Sequence, residues 1–494
     1  VAGVLAFYGY TRSNLWLDEA LTVNVARLPL RDLATALKHD GAPPLHYALL
    51  HVWMRVFGTG NVAVRSLSGL CMAGAVVVIY FVARRFAGRE VGLLAAAVMA
   101  INPYAIRYAT ETRMYGLEIL LVTLGILAVQ RVVERPTWGR AAVFGVIVAL
   151  LVYTQYWAFY LVPVVGALFV WMWYRNDGRV AATRLLVAGA VGLLAFVPWL
   201  PVFFYQRAHT GTPWGTPVLP GIPIGYTLRD FAGGASGTTA DRQEGWLLFF
   251  VLYALLLLGV FARPTGDDRL EVDLRTQPSV RHFAFVGGAG LVVAVSLNYL
   301  AGSAFQSRYS AIVFPFFVLL VARGLSLLRW PRVLLPTLAV IVVLGAAGGV
   351  RNVITQRTQA GDVAAVLRAD SKPGDVVVYC PDQLGPSVHR LAPAGLDEIV
   401  YPPSPFGPAR VDWVDYKARV RATRVADVAA DALRRAQGHT LWLVIAPGYI
   451  THTGICETLS DLLARDRIRI QRTFSNEKIF EKPAIQEFRA RAGG

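Results

Sequence analysis

Residues 62–83 read VAVRSLSGLCMAGAVVVIYFVA and run straight into Arg84 and Arg85. A helix needs about 20 mostly apolar residues to cross the hydrocarbon core of a bilayer, and this run has that length. Working outward, comparable runs recur at 91–106, 114–133, 141–160, 159–174, 185–204, 246–262, 283–301, 310–328 and 333–350. Segment 1–12 is apolar but too short to span. The chain starts at Val1 rather than Met, so a first helix clipped at its start is expected, and no signal peptide is read there. Of the 494 residues 55% are hydrophobic and only 16% charged, where a soluble chain carries roughly 25% charge. The expectation is a polytopic α-helical membrane protein with about eleven transmembrane helices.

The net charge of +16 does not indicate a nucleic-acid partner, because its placement follows the spans. Arginines cluster in alternate loops: Arg84, Arg85 and Arg89; Arg131, Arg135 and Arg140; Arg175, Arg179 and Arg184; Arg263, Arg269, Arg275 and Arg281; Arg323, Arg329 and Arg332. Such loops remain in the cytoplasm. The loops between them, 13–60, 103–113, 153–158, 205–245 and 302–309, then face outward together with everything after 350.

Two domains are expected: a membrane module over 1–350 and an extracytoplasmic α/β domain over 351–494. In the first outward loop, LPLRDLATALKHDG (28–41) and PPLHYALLHVWMRVFGTG (43–60) carry apolar residues at helical spacing, which suits helices lying in the interface. The outward loop 205–245 is rich in Gly and Pro and is expected to be flexible. In the tail, DVAAVLRA and VADVAADALRRA read as helices, and DVVVYC, TLWLVIA and IRIQRTF as short buried strands. This alternation favours a partly parallel sheet. Of the three cysteines, Cys71 lies inside a span. Cys380 and Cys456 share a compartment that permits a disulfide, but spacing alone leaves both states open.

Four groups of ionisable residues fall at outward span edges: Asp18 and Glu19 in NLWLDEA (14–20); His39, Asp40 and His46 in KHDGAPPLHY; Glu111, Arg113 and Tyr115 in YATETRMYGLE; Arg308 and Tyr309 in FQSRYS. Charges at these depths cost free energy and are usually paired or functional. They suit a lipid-linked phosphosugar whose isoprenoid tail lies between helices and whose phosphate sits at the interface. Arg113, Arg308 or His46 would hold the phosphate, arginine being suited to bidentate contact. Asp18 would deprotonate an acceptor hydroxyl that attacks the anomeric carbon, and one base suffices for an inverting transfer. Glu19, one residue on, cannot point the same way on a regular helix; it is expected to complete the catalytic pair by orienting a neighbour or a cation.

LWLDEA resembles the Asp-Glu signature of GT-C glycosyltransferases of the protein O-mannosyltransferase and aminoarabinose transferase type. HDGAPPLHYALLHVWMRVFGTGNVAVRSLSGL (39–70) is similar to the aspartate–Pro-Pro-Leu–Tyr segment of bacterial members, with GAPPL where HPPL is usual. INPYAIRYATETRMYGL (101–117) resembles their second outward loop. The resemblance implies a multi-pass enzyme of the bacterial plasma membrane that uses a polyprenyl-phosphate sugar on the outer side, with Asp18 catalytic and Glu19 beside it. His39, Asp40, His46, Glu111, Arg113 and Tyr115 would contact the donor. It leaves room for a divalent cation beside the carboxylates without requiring one. Mannose and arabinose are the expected sugars, and a glycolipid, polysaccharide or protein the acceptor. Two other classes compete. A transporter or flippase for a lipid-linked sugar should show mid-membrane charges or helix breaks in matching halves. A non-catalytic cell-envelope scaffold would leave Asp18 and Glu19 without a purpose.

Overall fold

The computed structural model describes residues 11–234, 243–265, 269–446, 448–472, 474, 479 and 481–491. Most of the segment expected at 1–12 and most of GGASGTT (233–239) lie outside the described residues. Among those described, six helices are long and apolar enough to cross a membrane: Asn61–Ile101, Tyr115–Glu134, Arg179–His209, Arg281–Leu300, Ser307–Leu325 and Pro331–Ile354. Three shorter apolar helices, at Trp138–Thr154, Ala158–Tyr174 and Gly245–Phe261, join them. The molecule is a multi-pass membrane protein, and large apolar side chains such as Leu70, Val77, Phe81, Val143 and Val146 are accordingly left exposed on its helices.

The first elements set the site. Helix α1 (Leu17–Ala26) begins with the two carboxylates, and α2 (Leu33–Lys38) and α3 (Leu45–Phe57) follow in the first loop. Helix α4 (Asn61–Ile101) contains two runs that meet at Gly88, whose φ of 91° no side chain with a Cβ adopts easily. This residue divides the apolar stretch into the two segments expected at 62–83 and 91–106. Helix α5 (Pro103–Ala109) is capped by the Asn102 side chain, which accepts from the Tyr104 and Ala105 amides, and α6 (Tyr115–Glu134) follows. The helix Phe314–Leu325 lies at the centre of the bundle with every side chain buried but that of Arg323. Close approach there depends on small residues: a Cβ on Gly324 would stand 1.7 Å from the Leu255 carbonyl oxygen.

The Gly- and Pro-rich stretch expected as a loop contains a helix, Gly221–Gly233. Pro220 and Pro223 sit at or before its first turn, where a missing N–H costs nothing. Thr227, Asp230 and Phe231 then fall on one buried face, a periodicity hidden by the Gly and Pro count.

After the helix Pro331–Ile354 the chain carries a five-stranded sheet with helices packed on it. Strands β1 (Ala262–Pro264) and β2 (Leu270–Val272) make a small antiparallel pair within the membrane module. In the tail, β3 (Val376–Cys380), β4 (Asp397–Val400), β5 (Leu441–Ile445), β6 (Arg467–Arg472) and β7 (Ala484–Ala490) form one sheet in the order β4-β3-β5-β7-β6. The β3–β4 and β3–β5 pairs are parallel, and β7 is antiparallel to both β5 and β6. VVVYC and LWLVI are buried along their whole length, as parallel strands covered on both faces must be. Cys380, at the end of β3, is bonded to Cys456 in the helix Ile455–Asp466.

This domain is docked on the first loop. Trp16 and Leu17 pack in its apolar core beside Val376, Ile399, Trp413 and Leu441. The His39 imidazole meets Asp412 at 2.8 Å, the Asn24 amide donates to the Ala409 carbonyl at 2.7 Å, and Arg390 donates to the Thr59 carbonyl at 3.1 Å.

Candidate active site

A cavity of about 1040 Å³ lies between the ends of the membrane helices, the first loop and the C-terminal domain. Asp18, Asp40, Arg113, Arg308 and Tyr309 line it, so residues singled out by sequence come from four separate segments to one wall. The Arg308 guanidinium approaches the Asp18 carboxylate at 3.2 Å, with 18% and 17% of the two side chains exposed. It also faces the rings of Trp16, Tyr309 and Trp214, at 5.6, 5.6 and 5.9 Å from their centroids. An arginine held among aromatic faces retains its charge while its direction is restricted. The turn that carries it is itself tied down, because Ser307 donates to Asp230 at 2.5 Å and Tyr104 donates to the Ser307 carbonyl at 3.1 Å.

Arg113 is joined to α1 by a short relay. Its guanidinium donates to the Thr22 hydroxyl at 2.8 Å, and that hydroxyl donates to the Asp18 carbonyl at 2.6 Å. Asp40 receives the Tyr47 phenol. Burial pushes the Asp40 carboxyl up, the Arg113 charge and the Tyr47 hydroxyl draw it partly back, and Asp18 adds repulsion. His46 lies behind this wall; burial, reinforced by the Arg113 charge, lowers it to about 3, so its imidazole is neutral at physiological pH.

Glu19 is turned away from the cavity. Its carboxylate accepts from Arg65 Nε at 2.7 Å and Nη2 at 2.6 Å, and from the Thr112 amide at 3.0 Å, with Arg357 3.9 Å away. Burial alone would push the Glu19 carboxyl up; the charge and hydrogen bonds of Arg65, with help from Arg357 and Thr112, outweigh it and hold the group below its ordinary value. Glu111 belongs to the same buried network, paired with Arg107 at 2.8 Å and 3.9 Å from Arg357. Tyr115 is buried against the Tyr108 ring at 5.0 Å, and His39 is engaged by Asp412. Glu19, His39, His46, Glu111 and Tyr115 are thus not on the cavity wall.

Several wall or support residues were missed from sequence. Arg65 carries the only charge in the run 62–83, and an isolated ionisable residue within a span is a recognisable signal. Gln155, Tyr156, Trp157 and Asn298 contribute polar and aromatic surface, without a signal to separate them from other interfacial residues. Arg357 and Glu481 arrive from beyond the last span.

Among the described residues no group of three or more His, Cys, Asp or Glu side chains is arranged to hold a metal ion, and Asp18 is paired with Arg308.

Residues 41–202 match the family model described as dolichyl-phosphate-mannose-protein mannosyltransferase. The structure superposes on ArnT from Cupriavidus metallidurans in the apo state with a TM-score of 0.57 and 15% identity, covering 98% of this chain and 96% of that one. At this identity the likeness is one of fold, and the fold is of the GT-C type expected from the sequence. ArnT bound to undecaprenyl phosphate is similar at a TM-score of 0.55 and 14% identity, over 98% and 96% of the two chains. The Archaeoglobus fulgidus oligosaccharyltransferase tethered to an acceptor peptide is similar at 0.51 and 12% identity, over 97% of this chain and 73% of that one. No curated protein sequence matches the chain significantly. The GT-C fold therefore spans both the helical bundle and the C-terminal sheet.

Proposed function

We propose that this GT-C protein transfers a sugar, mannose or a pentose such as arabinose, from a polyprenyl-phosphate donor to an acceptor hydroxyl. The hydroxyl belongs to a glycolipid, polysaccharide or protein on the extracytoplasmic side of a bacterial plasma membrane. The observation that carries this reading is the Asp18–Arg308 ion pair on the cavity wall, 3.2 Å across, with Arg113 and Asp40 beside it.

Arg308 has two uses in such a reaction. It neutralises Asp18, and its guanidinium is the shape that a phosphate recognises. A donor phosphate shares the guanidinium with Asp18, so one fixed arginine holds the donor beside the base. Asp18 then takes the proton of the acceptor hydroxyl, whose oxygen bonds to the anomeric carbon from the face opposite the phosphate. The carbon–oxygen bond to phosphate breaks, polyprenyl phosphate leaves with the electron pair, and the sugar is inverted. Arg308 and Arg113 stabilise the charge that grows on the leaving oxygen. Phe159, Phe203 and Leu297 give the cavity an apolar side toward the helices, suited to the first isoprene units. The undecaprenyl phosphate held by the structurally similar ArnT supports the same lipid class here.

The test is turnover of purified protein with polyprenyl-phosphate-linked mannose and arabinose, comparing wild type with Asp18→Asn. Loss of turnover with retained binding of undecaprenyl phosphate is expected. Full turnover of Asp18→Asn would remove Asp18 as the base.

A further inference from the structure

Helix α1 lacks a cap of its own. The residue preceding its first turn is Trp16, whose side chain makes no capping bond. The first four N–H groups of any helix lack intrahelical acceptors, and a buried helix start needs them satisfied from elsewhere. Here the acceptor comes from the far end of the chain: the Leu17 amide donates to Glu481 Oε2 at 2.7 Å, across 464 residues. The same carboxylate is held by the hydroxyls of Thr358, at 3.1 Å, and Ser387. The backbones of Thr358 and Glu481 pair as an isolated parallel bridge, with the Glu481 amide donating to the Arg357 carbonyl at 3.0 Å and the Gln359 amide donating to the Glu481 carbonyl at 3.2 Å. From that bridge Arg357 reaches into the network around Glu19. One element of the C-terminal domain thus holds the amide just before Asp18 and approaches the carboxylate just after it.

We propose that Glu481 is a positioning residue for Asp18: the C-terminal domain supplies the acceptor that fixes the first turn of α1, and the active site is complete only when that domain is docked. A glutamate side chain suits this place because one oxygen accepts from the Leu17 amide while the other accepts from Thr358 and Ser387. Trp16 and Leu17, buried in the core of the same domain, prevent the turn from sliding. The proposal rests on Asp18 acting as the base. Its physical content, the anchoring of α1, stands apart from that assignment.

The experiment uses full-length protein in lipid nanodiscs, with the variants Glu481→Ala, Glu481→Gln and Glu481→Asp beside Asp18→Asn. Gln keeps an oxygen at the same reach, whereas Asp keeps the charge but falls one methylene short of the Leu17 amide. Hydrogen exchange over residues 11–26 is read by mass spectrometry, and kcat and donor KM are measured with polyprenyl-phosphate-linked mannose and arabinose. Faster exchange of the first turn of α1 is expected in Glu481→Ala and Glu481→Asp, and near-normal exchange in Glu481→Gln. Turnover should follow the same order, with kcat reduced roughly 10- to 100-fold in the Ala and Asp variants and donor KM changed less than about 3-fold. Unchanged exchange in the Asp variant overturns the proposal even if the Ala variant fails to fold. So does a Gln variant as impaired as the Asp variant. Fast exchange in Glu481→Asp alongside a fully active Asp18→Asn leaves the anchoring intact and removes Asp18 as the base.

Discussion

The Arg65 guanidinium donates to both oxygens of the Glu19 carboxylate, at 2.7 and 2.6 Å, with 1% and 0% of the two side chains exposed. The pair links the second of two adjacent carboxylates to the apolar run 62–83, and it directs Asp18 and Glu19 to different tasks. Removing one partner of a buried pair leaves an uncompensated charge and costs about 3–5 kcal/mol, whereas replacing both with apolar groups of similar volume is often close to neutral. Arg65→Met is therefore expected to unfold the protein far more readily than Arg65→Met combined with Glu19→Leu. Thermal unfolding of the two singles and the double in detergent, arranged as a double-mutant cycle, measures the difference.

Asp18 and Glu19 should separate cleanly by phenotype. Asp18 lies on the cavity wall, so Asp18→Asn is expected to keep the melting temperature within a few degrees and to lose most turnover, on the order of 10³-fold or more. Glu19→Gln is expected to lower the melting temperature first and activity only through lost folding. Paired melting and turnover curves for both variants decide this, and equal melting losses would place both carboxylates in the supporting network.

Arg308→Lys preserves the charge but not the flat guanidinium among Trp16, Tyr309 and Trp214. A roughly 10-fold weaker affinity for undecaprenyl phosphate, about 1.4 kcal/mol, is expected. Quenching of tryptophan fluorescence on titration with that lipid is the direct measurement, since Trp16, Trp157, Trp214 and Trp413 all line the cavity.

Two buried carboxyls of the C-terminal domain give stability a pH dependence of definite sign. Burial raises Glu481 from 4.5 and Asp382 from 3.8, each to about 7, against the opposing hydrogen bonds of Ser387 and Tyr416 respectively. The folded state therefore holds protons that the unfolded chain releases. This contribution is fully present below about pH 4 and is lost as pH rises through about 7. Melting temperatures measured across that window should show a smaller decline in Glu481→Gln and Asp382→Asn than in wild type. An identical slope in both variants would exclude these groups as its source.

The spans were legible because lipid demands length and apolarity that few other settings require. β3 and β5 were legible for a related reason: VVVYC and LWLVI are continuous apolar runs. β7 was not, although it lies between β5 and β6. Its buried Gln486 receives the Ser460 hydroxyl at 2.6 Å, and its buried Glu487 meets Arg489 at 2.5 Å and Arg472 at 3.5 Å. Polar side chains satisfied by distant partners break the apolar pattern that marks a central strand. The cavity wall divides in the same way. Asp18, Asp40, Arg113 and Arg308 stood out as charges at span edges, where their cost is visible in the local sequence. The partners of Glu19 and of the Leu17 amide did not, because Arg65, Arg357 and Glu481 meet them only through tertiary structure.

The 464 residues between Leu17 and Glu481 are also an interval of time. A ribosome adding about 5–20 residues per second needs roughly 20–90 s to travel from one to the other. Through that interval the carboxylates of α1 are already synthesised while the acceptor that orders their helix is not. The membrane helices are therefore made before this bond can form, and the first turn of α1 is held only once Glu481 has been added.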